Sequence, residues 1–322
     1  SFPEEAFDFW QKYYASSPGW YDLPKEWRDI AGSAANKPEI LFCVETVQSL
    51  LGRLVLAKAC EDNNFPGVRL SRFVRENTSE FRGEVQPVSF VQTAEALLEK
   101  LRSELVESVF EQDIYYWWTE PAERAAEMSR REVAETDWAD EVEAVGESFA
   151  DLFLAISRYD FSEVRGDPLG ELYQRYFDSE TRRRLGEFYT PPSLVEYAVD
   201  AVEFERSEST RLLDPACGSG TFLVEAIKKH KTEIDRDEVY WPDELRRMTE
   251  RGGFIGLDIH PFAVVLAQIR VMVEILPEYR DAIDEDPTMV LKRLPIFRTD
   301  SLYNESVGQE RGQGQQRLTT NH

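Results

Sequence analysis

Ten consecutive residues, Asp214-Pro215-Ala216-Cys217-Gly218-Ser219-Gly220-Thr221-Phe222-Leu223, have types and spacing that call for a chemical explanation. Two glycines one residue apart let the backbone turn tightly and come close to a ligand. A helix starting directly after them aims its first, unpaired N–H groups at that ligand. The chemistry on offer is the cradling of a nucleotide-like molecule. The third glycine of a dinucleotide fingerprint is absent, so this is not that motif. A second acid, Asp258 in Gly253-Phe254-Ile255-Gly256-Leu257-Asp258-Ile259, stands where a strand should end. A carboxylate there can accept hydrogen bonds from both hydroxyls of a ribose. Asp258 follows Asp214 at well over the ~20 residues usual in dinucleotide binders. The excess reads as an inserted charged segment, Lys231 to Arg251.

The elements that must position these residues are legible from periodicity. Arg211-Leu212-Leu213 suits a short buried strand, and Phe222, Leu223, Ala226 and Ile227 recur at helical spacing after the glycines. Gly253 to Ile259 forms the next strand, followed by His260-Pro261-Phe262-Ala263 and a helix carrying Leu266, Ile269, Met272 and Val273. Leu294 to Leu302 predicts a third strand, with Asp300 at its end. Strands alternating with helices imply a parallel sheet and an α/β fold.

The first half of the chain reads differently. Residues 2 to 21 are rich in aromatics and turn residues, broken at Ser16-Ser17-Pro18-Gly19. Ile40, Val44, Val47, Leu51 and Leu54 then predict a helix running to Cys60, and a further helix is expected from about Val91 to Phe110. Tyr115-Tyr116-Trp117-Trp118 can stack on bases or pack a core; no basic residues interleave with them, which favours packing. Ala122 to Glu147 is acidic and reads as a solvated helical face, and Phe149, Leu152, Phe153 and Ile156 give one more amphipathic helix. The expected architecture is an N-terminal all-α domain over 1–157, then an α/β domain over 158–303, Rossmann-like and doubly wound but incomplete. A tail of disordered composition follows over 304–322.

At 322 residues and 42% hydrophobic, the chain has material for real cores. Its net charge of -24 argues at first sight against a polyanionic partner, but the total does not say where the 37 basic residues lie. An acidic surface of this kind also keeps a protein hydrated in a salt-rich cytoplasm. Cys43, Cys60 and Cys217 form neither a disulfide framework nor a zinc pattern, and His230, His260 and His322 are too scattered for a metal cluster. No uninterrupted apolar run reaches the ~18 residues of a membrane span, so the expectation is a cytoplasmic protein without a membrane partner.

Asp-Pro-Ala-Cys-Gly-Ser-Gly-Thr-Phe-Leu resembles the S-adenosylmethionine-binding motif of DNA adenine N6-methyltransferases, especially the large ones of restriction-modification and phage-defence systems. The likeness extends over Tyr159 to Asp300, and more loosely to Arg53-Leu54-Val55-Leu56-Ala57-Lys58-Ala59-Cys60-Glu61-Asp62. Leu185-Gly186-Glu187-Phe188-Tyr189-Thr190-Pro191-Pro192 is similar to the family's aromatic-Thr-Pro block, which folds back over the cofactor. The resemblance implies S-adenosyl-L-methionine as cofactor. It assigns the loop Asp214, Pro215, Ala216, Cys217, Gly218, Gly220 and Phe222 to its binding, and Asp258 to the ribose. Phe188 and Tyr189 would give an aromatic wall that favours the sulfonium. Thr190 would hydrogen-bond the methionine carboxylate, and can also cap the helix that follows. Ile259 would pack on the adenine, and Asp300 would lie near its amino group.

The family's base-binding loop, Asp/Asn-Pro-Pro-Tyr/Phe, is not in this sequence, so no catalytic residue is assigned. The chain therefore reads as a truncated methyltransferase. Its implied partners are double-stranded DNA, through a missing or downstream recognition domain, and possible restriction or defence subunits. Two other readings remain open: a non-catalytic remnant that binds cofactor or a partner protein, and a methyltransferase acting on a substrate other than DNA.

Overall fold

The computed structural model describes residues 2–14, 37–67, 69–81, 87–111, 113–120, 139–162, 190–202, 211–235 and 238–300. Among these residues the fold is mostly helical, with one small sheet of three parallel strands in the order β1-β2-β3. The first half contributes α1 (Phe2–Tyr14), α2 (Lys37–Asp62), α3 (Leu70–Phe81), α4 (Pro87–Glu104), α5 (Glu107–Phe110), a 3-10 turn (Ile114–Tyr116) and α6 (Ala139–Ser157). The second half runs α7 (Pro192–Ala201), β1 (Leu212–Asp214), α8 (Thr221–Thr232), α9 (Trp241–Met248), β2 (Phe254–Asp258), α10 (Pro261–Glu274), α11 (Leu276–Glu285) and β3 (Ile296–Arg298). This agrees with an α/β methyltransferase fold.

Helix α2 is the core of the helical half. By length and composition Pro38–Asp62 could cross a membrane, although Glu45, Arg53 and Lys58 interrupt its apolar run, as the sequence reading has it; most of it is buried inside the protein. Several of its polar side chains find partners there, although the buried side-chain amide of Gln48 has none among the described residues. Arg53, 2% exposed, donates to the Val109 carbonyl at 2.7 Å, pairs with Asp113 at 2.6 Å, bonds Ser49 and lies 4.8 Å from the Tyr116 ring centre. Trp117 Nε1 donates to Thr46 Oγ1 at 2.8 Å. Tyr115, Tyr116 and Trp118 are buried, so the aromatic cluster packs the core, as its lack of interleaved cations predicts.

The helix predicted from Val91 to Phe110 is interrupted. It ends at Glu104, and Leu105–Val106 leave the helical path so that Val106 can bridge Leu291 in a parallel register. Ser108 N–H donates to the Lys292 carbonyl at 3.2 Å, and the Tyr279 hydroxyl donates to the Leu105 carbonyl at 3.3 Å. Helix α2 also packs against α10. The helical half and the sheet thus share one apolar core.

The stretch read as a charged insertion holds α9, which packs on α11. Two of its charges are buried and paired: Glu244 meets His230 of α8 at 2.6 Å and Arg247 at 2.7 Å. His230, Arg247 and their hydrogen bonds hold the Glu244 carboxyl at about 2 against the opposing effect of burial.

Helices α8 and α10 pack on the sheet. Register pairs Leu213 with Ile255 and Leu257 with Phe297, so these four point to one side, opposite Phe254 and Gly256. Leu213 is 55% exposed and Phe297 47%, whereas Phe254 is buried. Among the described residues, then, the sheet is covered on one face.

Candidate functional site

The candidate site lies at the carboxyl ends of β1 and β2, where ligands bind in open α/β sheets. β1 ends at Asp214, the chain turns through Pro215–Gly220, and α8 begins at Thr221. Gly218 and Gly220 have φ of +52° and +80°, the left-handed region that costs other residues strain. A Cβ on Gly218 would meet nothing within 4 Å among the described residues, so the loop backbone is uncovered by them there. Gly220 is tight for a different reason: a Cβ would stand 3.0 Å from that of Ala267 on α10.

Asp258, at the end of β2, ties this loop to its own turn. Its Oδ2 accepts from Gly218 N–H and its Oδ1 from His260 N–H, both at 2.8 Å. Cys217 N–H adds a bond to the Leu257 carbonyl at 2.8 Å. Each carboxylate oxygen has a second lone pair, so Asp258 can still accept from a ligand's hydroxyls. Asp214 Oδ1 accepts from Ala216 N–H at 3.2 Å, while its Oδ2 is buried with no hydrogen-bond partner among the described residues. Burial pushes the Asp214 carboxyl up, the Ala216 N–H pulls it down, and the nearby charge of Asp258 pushes it up further. Two close carboxylates beside open backbone favour a ligand with hydroxyl and cationic groups.

The other assigned residues divide. Pro215 and Ala216 are exposed on the loop, and Phe222 is half-buried against the core. Cys217 is buried, and burial, then Asp258 and Asp214, push its thiol up to about 12; its side chain packs while its amide does the bonding. Ile259 is 56% exposed just past β2, available to an apolar ring. Asp300 is exposed, two residues beyond β3. Thr190 is not a helix cap: α7 begins at Pro192 with Pro191 in the cap position and no side-chain cap bond. Phe188 and Tyr189 lie outside the described residues.

The site also uses a residue that the motif reading passes over. Arg270 of α10, 7% exposed, donates from Nη1 to the Ser219 carbonyl at 2.6 Å, to Ser219 Oγ at 2.7 Å and to Thr221 Oγ1 at 3.1 Å. It clamps the glycine loop from beneath. The signal was present, because an arginine inside the apolar run Val264 to Val273 must find partners if it is buried. Replacing Arg270 with alanine is expected to lower stability by about 2 to 3 kcal/mol, the scale of lost hydrogen bonds to a charged group. A denaturation midpoint unmoved from wild type would show the clamp to be idle.

The residues fit S-adenosylmethionine on two observations, the partnerless buried oxygen of Asp214 and the open space at Gly218. Residues 164–290 match the family model described as N-6 DNA Methylase. The chain is 37% identical over 81 residues to the type I restriction enzyme MjaVII methylase subunit of Methanocaldococcus jannaschii, covering 24% of this chain and 14% of that protein. It is 41% identical over 75 residues to the MjaVIII methylase subunit of the same organism, covering 22% and 12%. To the adenine-specific methyltransferase PglX of Streptomyces coelicolor it is 30% identical over 111 residues, covering 33% and 9%. The matched stretches therefore span less than a sixth of these relatives. Across residues 164–290 the chain is thus similar to adenine N6-methyltransferases of restriction-modification type.

Proposed function

We propose that the chain is the cofactor-binding part of a site-specific DNA adenine N6-methyltransferase that uses S-adenosyl-L-methionine and serves a restriction-modification or phage-defence system. The observation that carries this reading is the Asp214–Gly218–Asp258 constellation, set inside the segment that matches the N-6 DNA methylases. When bound, the cofactor supplies an activated methyl group on a sulfonium. The chain's own residues bind and orient. Asp258 receives ribose hydroxyls, Asp214 receives a cationic group, Ile259 packs on the adenine with Asp300 near its amino group, and the amides of the Cys217–Gly220 loop line the cleft. The block Phe188-Tyr189-Thr190 closes it from the other side.

In this reading 1–157 is a helical domain and 158–303 an incomplete Rossmann-like, doubly wound domain. The exposed sheet face at Leu213 and Phe297 supports this, because parallel sheets are ordinarily covered on both faces. The groups that hold the flipped adenine come from an Asp/Asn-Pro-Pro-Tyr/Phe loop on another segment or subunit, since this sequence has no such tetrapeptide. The duplex, and restriction or defence subunits, are the partners; the compartment is the cytoplasm. The missing tetrapeptide also favours a second reading, a subunit that holds cofactor without catalysing transfer.

Calorimetry on the purified chain with S-adenosylhomocysteine tests the shared part of both readings. Saturable one-to-one binding, with no heat from NAD or ATP at the same concentrations, is expected. Absence of binding to S-adenosylhomocysteine, or equal binding of ATP, would sink the assignment of cofactor. Methyl transfer to adenine in duplex DNA, once a polypeptide carrying the missing loop is added, separates the enzyme from the cofactor-holding subunit.

A further inference from the structure

We infer that Glu45, on the N-terminal helix α2, is a positioning residue for Asp258, acting through His260, so that the helical half sets the geometry of the cofactor cleft. The inference rests on the reading of Asp258 as the ribose acid. Glu45 is 1% exposed, and its Oε2 accepts from Trp10 Nε1 of α1 and from the Tyr115 hydroxyl, both at 2.8 Å. Its other oxygen, Oε1, stands 3.7 Å from Nε2 of His260, itself 7% exposed. The backbone N–H of that same histidine is one of the two amides that hold the Asp258 carboxylate. Three elements of the helical half thus converge on the turn between β2 and α10. Tyr115 adds a second contact by packing edge-on to Phe262, in the first turn of α10, with ring centres 6.1 Å apart. Further along the cleft, Arg298 of β3 lies 5.3 Å over the ring of Phe9 on α1.

The protonation of the pair suits a fixed contact. Burial raises the Glu45 carboxyl to about 7, against the pull of its bonds from Tyr115 and Trp10, and burial lowers the His260 imidazole to about 4. Between about pH 4 and pH 7, then, a neutral acid faces a neutral imidazole. Tyr115 of the 3-10 turn bonds the Glu45 carboxyl, and Asp258 of β2 accepts from the His260 backbone N–H. Glutamine reproduces a protonated glutamate in shape and in donors; alanine does not.

The test is amide exchange followed by NMR on the ligand-free chain, with Glu45→Ala and Glu45→Gln, alongside S-adenosylhomocysteine affinity. Glu45→Ala is expected to speed exchange at His260 and Gly218 by at least about tenfold, equivalent to about 1.4 kcal/mol. Amides of β2 between Phe254 and Gly256 should stay protected, affinity should fall by a similar factor, and Glu45→Gln should restore both. Unchanged exchange at the two amides would overturn the inference. So would a rise spread evenly through β2 and α2 that glutamine fails to rescue, since that marks a merely structural role. If Glu45→Ala does not fold, His260→Gln removes the contact from the other side and should loosen the Gly218 amide. If wild type binds no S-adenosylhomocysteine while the two amides still loosen, the cofactor reading fails and the positioning role stands.

Discussion

Replacing Asp258 with alanine should reduce S-adenosylhomocysteine affinity by about 100-fold, or about 2.7 kcal/mol. The sequence alone would predict only the loss of hydrogen bonds to two ribose hydroxyls. The structure adds that the same carboxylate holds Gly218 N–H and His260 N–H at 2.8 Å. Removing it releases the glycine loop and the β2–α10 turn together, leaving two amides without their charged acceptor at roughly 1 to 3 kcal/mol each. Part of that cost falls on the free protein and part on the cleft that the ligand must reorder. Asp258→Asn, which keeps the shape and an acceptor, should lose less. Calorimetry reads both variants, and a dissociation constant for Asp258→Ala within twofold of wild type would remove Asp258 from the cleft.

Gly220→Ala should be the most destabilising substitution in the loop, and it should act on folding more than on binding. The residue precedes α8 at φ +80°, where a side chain costs ~1–2 kcal/mol. Its added Cβ would also stand 3.0 Å from the Cβ and 3.2 Å from the Cα of Ala267, and a helix backbone cannot step aside as a flexible side chain can. Overpacking of that kind costs ~1–3 kcal/mol, for a total of about 3 kcal/mol. Gly218→Ala shares the left-handed backbone, at φ +52°, but its Cβ meets open space. It should lose only the backbone share, ~1–2 kcal/mol, and unfold between wild type and Gly220→Ala while losing affinity, because the methyl group stands where the backbone would approach a ligand. Thermal unfolding and calorimetry on the pair check this contrast; equal midpoints for the two variants would contradict the packing argument.

The parts of the site that were legible in the sequence are those fixed by local chemistry. Paired glycines after an apolar strand, and an acid at the end of another, carry their meaning in a few adjacent residues, and β1, β2, α8 and α10 stand where periodicity puts them. What escaped was long-range. Nothing near Gly218 says that its amide will meet Asp258, 40 residues on, nor that Arg270 will reach back to Ser219. Periodicity carried the helix after Val91 through Leu105 and Val106 because both are apolar at fitting positions. The structure instead spends Val106 on a bridge to Leu291, a partner no local window contains. The Lys231–Arg251 stretch reads in the sequence only as a charged insertion, and only the fold reveals that Glu244 meets Arg247 and His230 in the interior.

The bridge between Val106 and Leu291 bears on how the chain is made. Leu294 N–H donates to Ser108 Oγ, and the Tyr279 hydroxyl, which donates to the Leu105 carbonyl, accepts from Leu291 N–H. These bonds close over as many as 186 residues. On the ribosome the α4–α5 corner emerges long before the segment that pairs with it. The helical half must then wait with part of its core exposed until β3 has been synthesised. Contacts of such sequence separation slow folding and lengthen the time that apolar surface is open to wrong partners. A ribosome paused before Leu291 should therefore hold a nascent chain that is helical but still sensitive to protease around Leu105.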